Sequence, residues 1–529
     1  MAQSLASLRF DNSFVETLPA DPDESPHSRQ VHHACYSKVA PTPVGNPTLV
    51  SLSPEVADLL DLRPTDLNPE ELAAVFSGNQ RLPGMETYAT CYGGHQFGNW
   101  AGQLGDGRAI GLGEVVNQKN ERWELQLKGA GITPYSRGAD GRAVLRSSLR
   151  EYLCSEAMHH LGVPTTRALC LVNTGDAVVR DMLYDGHAAP EPGAIVCRVS
   201  PSFIRFGNFE ICAARKDDDL LRQLANYTIE THFPHLGDPS PAVYAAWFKE
   251  VCEKTAHMVV HWSRVGFVHG VMNTDNMSIL GLTMDYGPYG WLEGFDLSWT
   301  PNTTDAYGRR YAFGNQPRVA SWNLFCLANA LYGLIGDAEI LKDALGSYGH
   351  TLGTEQRAML SQKFGFPQWE AGDETLVDEL MEIWESTETD MTIFHRRLAD
   401  VSSAEGVDAE TRLAPLLDAY YAPDELQGDL RARTLAWLES YATRVRQGGQ
   451  SDSDRAVQMN AVNPKYVPRN YLAQLAIDKA EQGDASTLEE LMELFKNPYD
   501  EQPEREEYAA KRPEWARHKA GCSMLSCSS

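Results

Sequence analysis

His269-Gly270-Val271-Met272-Asn273-Thr274-Asp275-Asn276, with Asp285-Tyr286-Gly287 nine residues further on, is the stretch on which the reading of this chain turns. It breaks apolar-periodic sequence. Residues 241–265 repeat apolar side chains at helical spacing, and a polar loop follows between apolar segments. Such a loop is either a plain turn or a site. Asn276 offers an amide oxygen and Asp285 a carboxylate, a hard-oxygen pair suited to Mg2+ or Mn2+ bridging phosphates. Asp275, next to Asn276, is the carboxylate available to accept a proton.

The spacing of His269 and Asn276 is that of the protein-kinase loop H-R-D-x-x-x-x-N, and Asp285-Tyr286-Gly287 is similar to D-F-G. Val271 stands where that loop carries its catalytic Asp. Either the protein only binds nucleotide, or another group serves as base. Working outward, WELQLKG (123–129) alternates apolar and polar residues and predicts a strand ending at Lys128. A Gly/Pro/Ser loop (129–143) leads to a helix predicted from about Arg142 to Leu161, with Asp140 near its start and Gly162 and Pro164 stopping it. Glu151 on that helix can face Lys128 as an ion pair. Ahead of the strand, Gly102, Gly105 and Gly107 fit G-x-x-G-x-G with Arg108 following. Backbone amides in such a turn approach phosphate oxygens, although a plain hairpin has the same composition. Arg198 and Arg205, with Arg108 and Lys128, can balance a triphosphate. Arg142, Arg146 and Arg150 form a basic stripe facing solvent or phosphate.

The length of the whole chain suggests three or four domains, and one large two-lobed enzyme fits as well. The chain has 529 residues, 43% hydrophobic and 22% charged, and a formal net charge of −26. That acidity argues against a duplex nucleic-acid partner. No apolar run is long enough for a membrane helix. The N-terminus lacks a hydrophobic signal core and carries Asp11, Glu16, Asp21, Asp23 and Glu24, so a cytoplasmic protein is expected, or a mitochondrial one in a eukaryote. Most cysteines sit in apolar runs and read as small buried hydrophobes. Cys522 and Cys527, near the C-terminus, are candidates for reversible redox chemistry. The expected fold class is α+β, a Gly-rich, strand-rich N-lobe followed by a mostly helical C-lobe. The expected divisions are an N-terminal extension (1–84), an N-lobe (85–210), a C-lobe with the catalytic and metal loops (211–420), a helical region (421–520) and a cysteine-containing tail (521–529).

The sequence resembles the selenoprotein O family, pseudokinase-like protein adenylyltransferases. The likeness runs through ACYSKVAPTPVGNPTLV (34–50), YGGHQFGNWAGQLGDGRAIGLGE (92–114), the segment 125–169, RVSPSFIRFGNFE (198–210) and HGVMNTDNMSILGLTMDYGPYGWLE (269–293), and Cys527-Ser528-Ser529 fits the family's end. The resemblance implies a protein-kinase-like fold that binds ATP flipped and, with Mg2+ or Mn2+, transfers AMP to Ser, Thr or Tyr hydroxyls of proteins. By matching motif it implies that Gly105, Gly107, Arg108, Asp140 and Gly141 contact the nucleotide. Lys128 binds phosphate and pairs with Glu151, and Arg198 and Arg205 clamp phosphates. Asp275 takes the proton, and Asn276 and Asp285 hold the metal, with Asp285 also near ATP. The competing expectations are uridylylation from UTP and a non-catalytic nucleotide-binding scaffold. A monomer is expected. The distance between Cys522 and Cys527 exceeds that of the family's usual tail pair.

Overall fold

In a computed structural model of the chain, residues 5–522 and 524–526 are described. The strand Arg122–Lys128 sits near the middle of a nine-stranded sheet. The order across it is Ala20–Asp21, Tyr36–Lys38, Tyr88–Thr90, Ala109–Val116, Arg122–Lys128, Ala189–Ser200, Arg167–Arg180 and Thr48–Leu52, with Ala143–Val144 paired off this path. All pairs are antiparallel except the first. Alternation along Arg122–Lys128 sends Leu125 and Leu127, both fully buried, to one face. There they meet Ile110 and Leu112, and Val56 and Phe76 from two short N-terminal helices. Burying each such leucine contributes about 1.5–3 kcal/mol. Gln126 and Lys128 point to the opposite face, and the register sets Arg198 across from Gln126. The sheet thus makes its own core and delivers charged residues to one surface.

Residues 1–45 look irregular in sequence, yet Ala20–Asp21 and Tyr36–Lys38 extend the sheet. The sequence at 168–172 and 177–181 reads as two short strands, yet the two are one long strand, Arg167–Arg180, forming a hairpin with Ala189–Ser200.

The helix carrying Glu151 spans Leu145–His160, and 13 of its 16 residues are buried, so it cannot be a surface helix. One side packs on the hairpin strands. Another packs on the helices Asn470–Ala480 and Ser486–Phe495, where Leu149, Leu153, Leu472, Ile477 and Leu491 share one core. Because the helix begins at Leu145, the expected arginine stripe is split. Arg142 precedes the helix, Arg146 pairs with Glu191 at 2.6 Å, and Arg150 lies 4.3 Å from the centre of the Tyr289 ring and donates to the Tyr289 carbonyl.

Beyond residue 205 the chain is mainly helical. Pro241–Val265 starts with Ser240 as N-cap and Pro241 in its first turn, and ends at Gly266 in the left-handed region. It packs on Gln316–Ile335 and Ala338–Phe364 around Trp247, Val251, Leu324 and Leu327. The sequence over 375–398 reads as one helix, but the segment forms two, Asp373–Ser386 and Met391–Leu398, the second capped by Asp390. Asp390 is fully buried against Arg469 at 2.6 Å, which fixes the break. A small pair of strands, Phe267–Val268 and Gly290–Trp291, brackets the loop from His269 to Tyr289. Among the described residues no helix is long and apolar enough to cross a membrane. The architecture is α+β, a strand-rich first part built on the nine-stranded sheet followed by a mostly helical part.

Candidate active site

A cavity of about 570 Å³ opens where the sheet's charged face meets the His269–Tyr289 loop. It is lined by Gly105, Gly107, Arg108, Lys128, Asp140, Gly141, Arg198, Asp275, Asn276 and Asp285, which are 180 residues apart at the extremes (105 to 285). Glu151 and Arg205 do not line it. They sit behind it, 1% exposed each, and act on residues that do.

The charged wall is a continuous network. Lys128 Nζ donates to Glu151 Oε2 at 2.5 Å, and Arg198 donates to Glu151 Oε1 at 3.2 Å and to Asp285 Oδ1 at 2.5 Å. Arg198 also donates to Gln126, and Arg205 donates to Asp285 Oδ2 and, at 2.9 Å, to the Asp275 carbonyl. Burial would push the Asp285 carboxyl up, but Arg205, Arg198 and Lys128 outweigh it and hold it well below the ordinary carboxylate range. Burial also lowers Lys128, against the pull of Glu151. Asp285 adopts φ 59°, a backbone region that Asp tolerates better than most residues.

Asp275 has the opposite environment. It is 8% exposed, its Oδ2 accepts from Gln96 at 3.2 Å, and its Oδ1 is buried without a hydrogen-bond partner. Burial pushes its carboxyl up to about 7, with Gln96 only partly offsetting it. Two carboxyls in one cavity are thus driven apart, an arrangement that separates a proton acceptor from a permanently charged group. Asn276 donates its Nδ2 to the Val271 carbonyl at 2.8 Å, which turns its amide oxygen away from that bond. His269 is spent on structure: its Nε2 meets the Met284 carbonyl at 2.9 Å, and burial lowers its pKa.

The glycine turn is held under the following loop. Ser136 donates to the Gly107 carbonyl, Thr133 donates to the Asp106 carbonyl at 2.6 Å, and Asp106 accepts from the Thr90 amide at 2.9 Å. Gly105 has φ 77°, and a Cβ there would meet the Tyr135 ring at 2.3 Å. Gly141 has φ 67°, and a Cβ would meet the Gly131 carbonyl oxygen at 2.0 Å. Asp140 is gripped by Arg180 through two bonds of 2.7 and 2.8 Å.

Several lining residues escaped the sequence reading: Tyr92, Gln96, Arg180 and Tyr184. The segment 93–103 is itself a hairpin, Gly93–Gln96 with Asn99–Gln103, laid over the Asp275 loop. The His95 amide donates to Thr274 Oγ1 at 2.7 Å, and a Cβ on Gly94 would strike Asp275 Oδ1 at 2.6 Å. Dense glycine was the signal, and here it reflects close backbone approach to a carboxylate. Cys522 corrects an expectation. It is 2% exposed in the core beside the Glu151 helix, and burial pushes its thiol up to about 11, the reverse of a reactive cysteine. Cys527 lies outside the described residues.

A model of the family described as protein adenylyltransferase SelO matches residues 22–496. Over 530 residues the chain is 59% identical to the protein nucleotidyltransferase YdiU of Aromatoleum aromaticum, covering 99% of this chain and 100% of that one. It is 57% identical over 536 residues to the protein of the same name from Rhodopirellula baltica, covering 99% of each. A solved structure, ROP2 from Toxoplasma gondii, described as a virulence factor with a protein-kinase fold and no enzymatic activity, aligns with 56% of this chain and 87% of its own at 12% identity and a TM-score of 0.23, too weak to add to the strand order above. The chain belongs to the SelO family of protein nucleotidyltransferases.

Proposed function

We propose that this enzyme transfers AMP from ATP to Ser, Thr or Tyr hydroxyls of proteins, releasing pyrophosphate, with Asp275 as the base. The observation that carries the reading is the carboxyl of Asp275, a residue that lines the cavity: buried, poised at about 7, with one oxygen unpartnered beneath the glycine hairpin. A base near neutrality is what proton removal from an alcohol requires. The hydroxyl oxygen bonds to the α-phosphorus, the bond from that phosphorus to the β-bridging oxygen breaks, and the hydroxyl proton passes to Asp275. Negative charge then grows on the departing pyrophosphate. Lys128, Arg198 and Arg108 stand in the same cavity to neutralise it, while Glu151 and Arg205 hold that wall in place. Gly105, Gly107 and Gly141 let backbone approach the nucleotide, and Asp140 joins them through Arg180.

The donor set fits a hard divalent ion such as Mg2+ or Mn2+. Asn276 keeps its amide oxygen, and each Asp285 oxygen retains a lone pair beyond its arginine contact. An ion there supplies further neutralisation of phosphate charge.

The test is intact-mass analysis of the enzyme and of candidate protein acceptors, incubated with ATP or UTP and Mg2+ or Mn2+, with Asp275→Asn alongside. A gain of about 329 Da per site reports AMP, about 306 Da UMP and about 80 Da phosphate. AMP addition that is lost in the variant supports the proposal. Phosphate addition, or full activity in the variant, overturns it.

A further inference from the structure

A second, smaller cavity, about 220 Å³, lies in the helical lobe between Ala338–Phe364, Asp373–Ser386 and Met391–Leu398. Its walls are apolar: Phe295, Met359, Leu380 and Met391 are all buried. Leu297, 37% exposed, stands at its rim. Two of its lining residues ionise, and both are bases, Lys363 and His395, 4% and 3% exposed. Among the described residues, no Asp or Glu lines it, although the chain carries 72 of them.

Among the described residues, neither base has an acid partner. Lys363 Nζ donates to the Arg264 carbonyl at 2.9 Å, one bond for a group with three donors. His395 stands edge-on between Phe364 and Trp384, with ring centres at 5.2 and 5.3 Å, and its Nδ1 is buried without a partner. The nearby Arg264 guanidinium is also met by neutral groups, the Val462 and Leu161 carbonyls, the Tyr499 hydroxyl and His261 Nδ1. Burial therefore holds Lys363 and His395 well below their ordinary values. A buried base with no counter-charge is costly to ionise, and an anion entering beside it removes that cost.

We infer that this cavity binds a small apolar monocarboxylate, its tail against Phe295, Met359 and Leu380 and its carboxylate between Lys363 and His395. A dry cavity of about 150 Å³ holds benzene, so 220 Å³ takes one ring or a chain of about six to eight carbons. The site is separate from the nucleotide cavity and does not depend on the proposed reaction.

The experiment is calorimetric titration of the full chain with sodium heptanoate and, separately, 1-heptanol, which has the same tail without charge. Heptanoate is expected to bind at one site with Kd below about 1 mM and at least about tenfold tighter than heptanol. Titrations in two buffers of different ionisation enthalpy should report proton uptake. His395→Phe and Lys363→Met, each checked for folding by circular dichroism, should each lose most of the preference for the acid. No binding of heptanoate at about 10 mM, or equal affinity for acid and alcohol in the native chain, overturns the inference.

Discussion

The 570 Å³ cavity has two walls built on opposite rules. On the Lys128 side the carboxylates are matched by cations: Lys128, Glu151, Arg198, Asp285 and Arg205 are linked by ion pairs in one continuous chain. On the Asp275 side a carboxyl is buried under a glycine hairpin with one amide donor and one empty oxygen. The matched wall resists changes of protonation. Under the proposed reaction, the unmatched wall is where the proton moves. Stability and reactivity are assigned to different sides of one space, ten residues apart in sequence (275 to 285).

Asp275→Asn breaks this contrast most directly. It keeps the shape and removes the proton acceptor, so transfer should fall roughly a hundred- to ten-thousandfold while nucleotide affinity stays within a few fold. Single-turnover kinetics and nucleotide titration check it. Equal loss of both would make Asp275 a binding group.

Arg205→Met attacks the matched wall. It strips Asp285 of one counter-charge and frees the Asp275 carbonyl, and breaking such a buried pair costs about 3–5 kcal/mol. Urea unfolding should show the loss, with the midpoint displaced far more than in an Arg→Met change at an exposed site.

Stability should also respond to pH through Asp275. An unfolded Asp titrates near 3.9, whereas the folded group titrates near 7. Between these values the folded state holds a proton that the unfolded state has released. The contribution to stability is complete below about 4, declines as pH rises, and is gone above about 7. Asn has no proton to lose. Asp275→Asn should therefore be more stable than the native chain at pH 8, by about 4 kcal/mol, and nearly equal to it near pH 4. Melting at the two pH values measures the difference.

The smallest effect tests the lone donor. Gln96→Leu should raise the Asp275 carboxyl by less than about one unit, slowing transfer near pH 6 and leaving it unchanged near pH 9. An unaltered pH–rate profile would show that Gln96 does not tune Asp275.

The local parts of this site were legible from residues. Alternation in WELQLKG set Lys128 at a strand end, helical spacing set Glu151 on the next helix, and the fixed intervals among His269, Asn276 and Asp285 marked the loop. What escaped was built by distance along the chain. Gln96 reaches Asp275 across 179 residues, and no spacing rule connects them. Arg180 meets Asp140 because a strand of 14 residues carries it there, where shorter strands were expected. Cys522 looked like tail chemistry and is core, because periodicity fades near residue 496 while packing continues.

The helices Asn470–Ala480 and Ser486–Phe495 close the back of the Glu151 helix. On the ribosome, synthesis runs from the N-terminus. A nascent chain finished through residue 400 already contains Lys128, Glu151, Asp275 and Asp285, yet the helix that carries Glu151 still has an uncovered greasy flank. Every side chain that lines the cavity is therefore synthesised before the two helices that brace the one carrying Glu151, so the charged wall gains its backing only after its own residues are in place.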